Sequence, residues 1–190
     1  MKSNPKRQGG LDGLCGVYAV VNAIGELTFN GEFGRERQQE LFNLLVRTVY
    51  RRLPQDRKSI RFVWDGTSPA DVNAMVETAG RFARRKLGFD LEWCRGLSGS
   101  GMGKKIQSFW KELDSHLTSD QKGAAIVVYD DDDISHWTCV VDSTGKQLRL
   151  RDSAGFKTLK KQGGTLGSRR SGQRQYWWND VFLLSRGKPV

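Results

Sequence analysis

The run Leu11-Asp12-Gly13-Leu14-Cys15-Gly16-Val17-Tyr18-Ala19-Val20-Val21-Asn22-Ala23 carries a glycine-framed turn into an apolar helix, with a thiol at the junction. A helix N-terminus favours the thiolate, and the thiolate is the nucleophilic form of cysteine. The periodicity continues this first helix to about Ile24. It predicts a second from about Gly34 to Leu53, with Leu41, Leu44, Leu45, Thr48 and Val49 on one face and Pro54 ending it. Ser68-Pro69-Ala70-Asp71 reads as an N-cap with proline at the first helical position, opening a third helix that stops at Gly88.

The second half of the chain is patterned differently. After a strand at Phe89 to Cys94 and a fourth helix at about Lys104 to Leu117, strands are expected near Ala124 to Tyr129, Trp137 to Asp142, Gln147 to Asp152 and Tyr176 to Leu184. Helices first and a cluster of strands after predict an α+β fold in which N-terminal helices pack on one antiparallel β-sheet. At 190 residues the chain suits a single domain, 1–190, with a core large enough to need no staples.

Two downstream segments bear on the thiol. His136 stands in Ser135-His136-Trp137-Thr138-Cys139-Val140-Val141, and Asp152 in Leu148-Arg149-Leu150-Arg151-Asp152-Ser153-Ala154-Gly155. Their strands are joined by Ser143-Thr144-Gly145-Lys146, which reads as a hairpin turn, so His136 and Asp152 can be neighbours across it. Thiolate, imidazole and carboxylate are the three types that nucleophilic acyl chemistry needs. The first attacks the acyl carbon, the second shuttles the proton, and the third fixes the imidazole tautomer and stabilises its charged form.

Each residue also has a plainer reading. Free cysteine in an apolar helix is commonly a core residue, and a histidine at a strand end is commonly a satisfied structural group. His116, the other of the two histidines, lies on the amphipathic fourth helix with Ile106, Phe109, Trp110, Leu113 and Leu117, and is expected to border the core. Cys139 alternates with apolar neighbours and Cys94 ends an apolar stretch, so both read as structural.

The ordered combination resembles the papain-like cysteine peptidases: a Gln upstream of Cys-Gly opening a helix, then His-aromatic-x-x-Val-Val, then Asp-Ser-x-Gly about one hairpin later. It is similar above all to the peptidase domain of bacteriocin exporters, and Asp12-Gly13-Leu14-Cys15 more faintly resembles ovarian tumour-type deubiquitinases. The resemblance covers two blocks of the chain and implies a papain-like fold with Cys15, His136 and Asp152 as the catalytic set. The family's oxyanion-hole glutamine maps onto Gln8, one residue further from the cysteine than is usual, which leaves Asp12 or a backbone amide as the alternative. The implied activity is that of a cysteine hydrolase, a thiol protease cleaving an amide or isopeptide bond in a protein substrate. An effector or toxin-type glutamine deamidase or acyltransferase would use the same triad, and a catalytically inactive basic binding module is the third reading.

Three scattered cysteines argue against a disulfide framework, and no apolar run is long enough to cross a membrane or to form a secretory signal. The expectation is a cytoplasmic protein, or one exported without a cleavable signal. The formal net charge of +10 comes from clusters such as Arg84/Arg85/Lys86 and Lys157/Lys160/Lys161, and would attract an acidic protein substrate. It would also suit nucleic acid, although no recognition signature accompanies it. Asp130 to Asp133 lacks the alternation and the distant glutamate of a calcium loop, and is expected to form a solvated turn that raises the pKa of His136. The segment Gly99 to Lys105 lacks the spacing and ending of a phosphate loop. No cofactor and no metal are expected.

Overall fold

A computed structural model describes residues 13–29, 31–55, 58, 66–97, 105–119, 122–132, 134–166 and 172–190. Helix α1 (Cys15–Leu27) is buried along its whole length, as its nearly uninterrupted apolar composition requires. Helix α2 (Arg35–Arg52) is amphipathic and buries Leu41, Leu45 and Val49, one residue per turn. Helix α3 (Pro69–Phe82) opens on a reciprocal capping box, in which Ser68 and Asp71 each accept the other's backbone N–H. One turn of π-helix, Ala83–Leu87, continues it and closes on Gly88, whose φ of 68° is a conformation that favours glycine.

The remaining elements are β1 (Phe89–Arg95), α4 (Ile106–Leu117), β2 (Gly123–Asp130), β3 (Ser135–Ser143), β4 (Gln147–Arg151), β5 (Thr158–Lys160), β6 (Gly164–Thr165), β7 (Arg174–Tyr176) and β8 (Phe182–Pro189). Among the described residues the strands form one sheet in the order β1-β8-β2-β3-β4-β5, with β7 pairing both β2 and β6. Every pairing is antiparallel except that of β6 with β7, a short parallel contact that the sequence pattern did not announce. The fold is therefore α+β, with helices against an essentially antiparallel sheet.

Strand β2 explains the layering. Ala124, Ile126 and Val128 join the core made with α1, α2 and α3, while Ala125, Val127 and Tyr129 join a second core with Phe109 and Leu113 of α4. A strand covered on both faces reads as a continuous apolar run, as Ala124 to Tyr129 does. The strand expected from Tyr176 to Leu184 is instead divided into β7, a 3₁₀ turn at Trp178–Asp180, and β8. The buried Trp178 indole donates to the Leu97 carbonyl at 2.7 Å, and this bond holds the turn that interrupts the strand. No helix among the described residues is long and apolar enough to cross a membrane.

Candidate active site

Cys15 is the first residue of α1, His136 the second of β3, and Asp152 follows the last residue of β4. These three ends meet. The register of β3 against β4 pairs Cys139 with Arg151 and contains an irregularity between Val140 and Asp142. His136 Nε2 lies 2.7 Å from Asp152 Oδ1, and both side chains are nearly excluded from solvent. The Cys15 side chain hydrogen-bonds the same imidazole. With Nε2 committed to the carboxylate, Nδ1 is the nitrogen left for the thiol.

The carboxylate is held from every side. Oδ1 also accepts from Thr138 Oγ1 at 2.7 Å, and Oδ2 accepts from the backbone N–H groups of Ala154 at 2.8 Å and Phe156 at 3.3 Å. Burial acts to raise the Asp152 pKa, but the hydrogen bonds from His136 and Thr138 outweigh it, and the carboxyl lies below its ordinary value. The opposite holds for its partner. Burial alone would lower the pKa of His136, but hydrogen bonds to Asp152 and Cys15 and the charges on both push it up to about 9. The carboxylates Asp130 to Asp132 are not among the leading causes. Asp131 instead accepts the Ile134 N–H and lies 3.9 Å from Arg174, and Asp132 accepts the Gly172 N–H.

The ring environment is apolar on two sides. Tyr129 meets the His136 ring edge-on at 5.8 Å, and Phe156 does so at 6.2 Å. Burial, followed by the charge on Asp152, raises the pKa of the Tyr129 hydroxyl, so that group is neutral. Near the thiol, Gly16 makes a close approach possible. A Cβ there would overlap Thr67 Oγ1 and stand 3.0 Å from Thr67 Cβ, and the Thr67 carbonyl accepts from the Trp137 indole at 2.8 Å.

Residues not singled out in the sequence complete the support. Asn22 Nδ2 donates to the Arg151 carbonyl at 3.0 Å, and Arg151 Nη1 lies 3.0 Å from Glu26 Oε2. The signal for Thr138 was its place two residues after His136, on the same face of one strand. For Asn22 and Glu26 it was polarity inside an otherwise apolar helix. Gln8 and Asp12, the two candidates for the oxyanion, lie outside the described residues, as do 98–104 of the glycine-rich segment.

The other cysteines, His116 and the basic clusters fall as follows. Cys139 is buried, and burial raises its thiol pKa. Cys94 is exposed rather than part of the core, because its position on β1 faces away from the packed side. His116 Nε2 lies within 3.2 Å of the Ala124 carbonyl and 3.0 Å of the Leu184 carbonyl, so it carries a proton shared between them and joins α4 to the sheet. Lys161 is not a surface cation: its buried ammonium reaches both oxygens of Asp114, at 2.7 and 2.8 Å. Arg84 and Lys86 sit on the surface beside Asp90 and Glu40, in exposed pairs that contribute little. Among the described residues, no group of three or more His, Cys, Asp or Glu side chains could hold a metal ion.

No family model matches the chain, and no curated protein sequence does. Among solved structures, the crystal structure of Pseudomonas avirulence protein AvrPphB aligns over 92% of this chain and 88% of its own, at 15% identity and a TM-score of 0.31.

Proposed function

We propose that the chain is a papain-like cysteine hydrolase that cleaves an amide or isopeptide bond in a protein substrate. One observation carries the reading: a buried imidazole that hydrogen-bonds both Asp152 and a cysteine opening a helix. A raised imidazole pKa beside a thiol favours the ion pair of thiolate and imidazolium. The Cys15 thiolate attacks the acyl carbon, and its oxyanion is stabilised by N–H groups at the start of α1. The imidazolium gives its proton to the leaving nitrogen, the C–N bond breaks, and a thioester remains. Neutral His136 then takes a proton from water as it adds, releasing the acid and restoring the thiolate and imidazolium. Asp152 stays ionised throughout and holds the tautomer that presents Nδ1 to sulfur. The formal net charge of +10 favours an acidic protein as substrate.

The test compares proteomes of cells expressing the native chain and Cys15→Ala by mass spectrometry. New termini that depend on Cys15 support cleavage. A gain of about 1 Da at a glutamine would instead assign deamidation, and an added acyl group would assign transfer. No Cys15-dependent change in any protein would overturn the enzymatic reading in favour of a binding module.

A further inference from the structure

The triad depends on three chain segments that meet only in the folded protein, and two of the three joints are made by the triad residues and their strands. His136 and Asp152 are joined through paired strands β3 and β4, and Cys15 meets His136 directly. The third joint runs from the helix of the nucleophile to the strand of the carboxylate. Along α1, Asn22 and Glu26 follow Cys15 by seven and eleven residues, close to two and three full turns at about 3.6 residues per turn, so all three share one face. That face is polar within a helix otherwise packed by apolar side chains.

Both residues hold Arg151, and they hold different parts of it. Asn22 donates to its carbonyl, the oxygen of the peptide unit whose nitrogen belongs to Asp152. Glu26 holds its guanidinium, with the two side chains only 6% and 9% exposed. A buried ion pair is weak evidence of stability, since well-packed apolar residues in its place are often neutral or stabilising. Elsewhere α1 meets the sheet through apolar contacts with Trp137, Cys139 and Val141 of β3. The polar grip falls at the residue before the carboxylate, where a shift along or about the helix would move Asp152 relative to Cys15.

We infer that Asn22 and Glu26 are positioning residues, which clamp Arg151 and so set the Asp152–His136 pair against the Cys15 sulfur. The inference rests on the hydrolase reading, and a direct assay of Cys15 separates the two. The variants are Asn22→Leu, which keeps volume and removes the donor, the conservative Glu26→Gln, and the double change Glu26→Leu with Arg151→Met, which removes the ion pair without leaving a buried charge. Thermal melting reports folding, and iodoacetamide alkylation of Cys15 from pH 4 to 10 reports the thiolate and its partner.

A misplacement of about 1 Å at a reacting centre can cost about 10²-fold. The expectation is a 10- to 100-fold slower alkylation near neutral pH for Asn22→Leu and the double variant, with the upper limb of the pH profile moved to lower pH, while Tm of the double variant is unchanged or higher. Glu26→Gln, which still accepts from the guanidinium but leaves its buried charge unpaired, should keep the wild-type alkylation profile at a lower Tm. If folded variants alkylate like wild type, or if no clamp variant folds, the clamp is a stability element and the inference falls alone. If wild-type Cys15 itself titrates as an ordinary thiol, the hydrolase reading and the clamp fall together.

Discussion

Asp152→Asn is the sharpest perturbation of the site, because the side chain keeps its shape while half of it turns from acceptor to donor. In the native protein Oδ1 accepts from His136 Nε2 and Thr138 Oγ1, and Oδ2 accepts from the Ala154 and Phe156 N–H groups. An asparagine oxygen can satisfy one of these sets only. If it stays with the backbone, its NH₂ faces His136 Nε2, which must then give up its proton to Nδ1 and cannot receive one from the thiol. If it faces His136, the NH₂ opposes two backbone donors and the turn after β4 loosens.

The charge is lost in either case. The His136 pKa should fall from about 9 towards the ordinary 6.5, since burial lowers it and the Asp152 carboxylate no longer opposes that. That difference corresponds to about 3 kcal/mol, and at about pH 7.5 it takes the imidazole from almost fully charged to roughly one-tenth charged. The assay is NMR titration of the imidazole carbon-bound protons, which is tractable because the chain has only two histidines, with His136→Gln assigning the signals. A native His136 that titrates near 6.5, or one whose midpoint is the same in Asp152→Asn, would refute the reasoning.

Two further outcomes follow from the same geometry. Gly16→Ala should lower Tm and slow Cys15 alkylation, because the new methyl overlaps Thr67; adding Thr67→Gly, which removes the obstructing atoms, should restore part of both. A raised folded pKa contributes stability that is present in full below the unfolded value of 6.5 and is lost as pH rises through about 9, so urea unfolding of the native chain should weaken between pH 6 and 10 by up to about 3 kcal/mol more than that of His136→Gln.

The parts of the fold legible in the sequence were those governed by local pattern. The N-cap of α3, the face of α2 and the alternation of β3 are read from neighbours within a turn or a strand, and they stand where the pattern put them. Long-range competition decides the rest. Nothing near Trp178 announces that its indole will reach Leu97 and break a strand, and nothing near Lys161 announces Asp114, 47 positions earlier, which turns an expected surface charge into a buried pair. In the candidate site the residues with reactive chemistry were visible because cysteine and histidine are scarce here and sit at element ends. The groups that hold them were not: Asn22 and Arg151 are 129 positions apart, and their hydrogen bond exists only once helix and sheet have docked.

The four donors around Asp152 also determine the direction from which the site can be discharged. With both oxygens already accepting two hydrogen bonds each, a proton arriving at the carboxylate must displace one of them, and the depressed pKa measures that resistance. The imidazole, by contrast, releases its proton on the alkaline side without breaking any of the bonds that hold Asp152 to Thr138 and the backbone. Within the Asp152–His136 pair, acid therefore meets a stiff boundary and base a soft one, so the pairing itself would outlast an acidified surrounding better than an alkaline one.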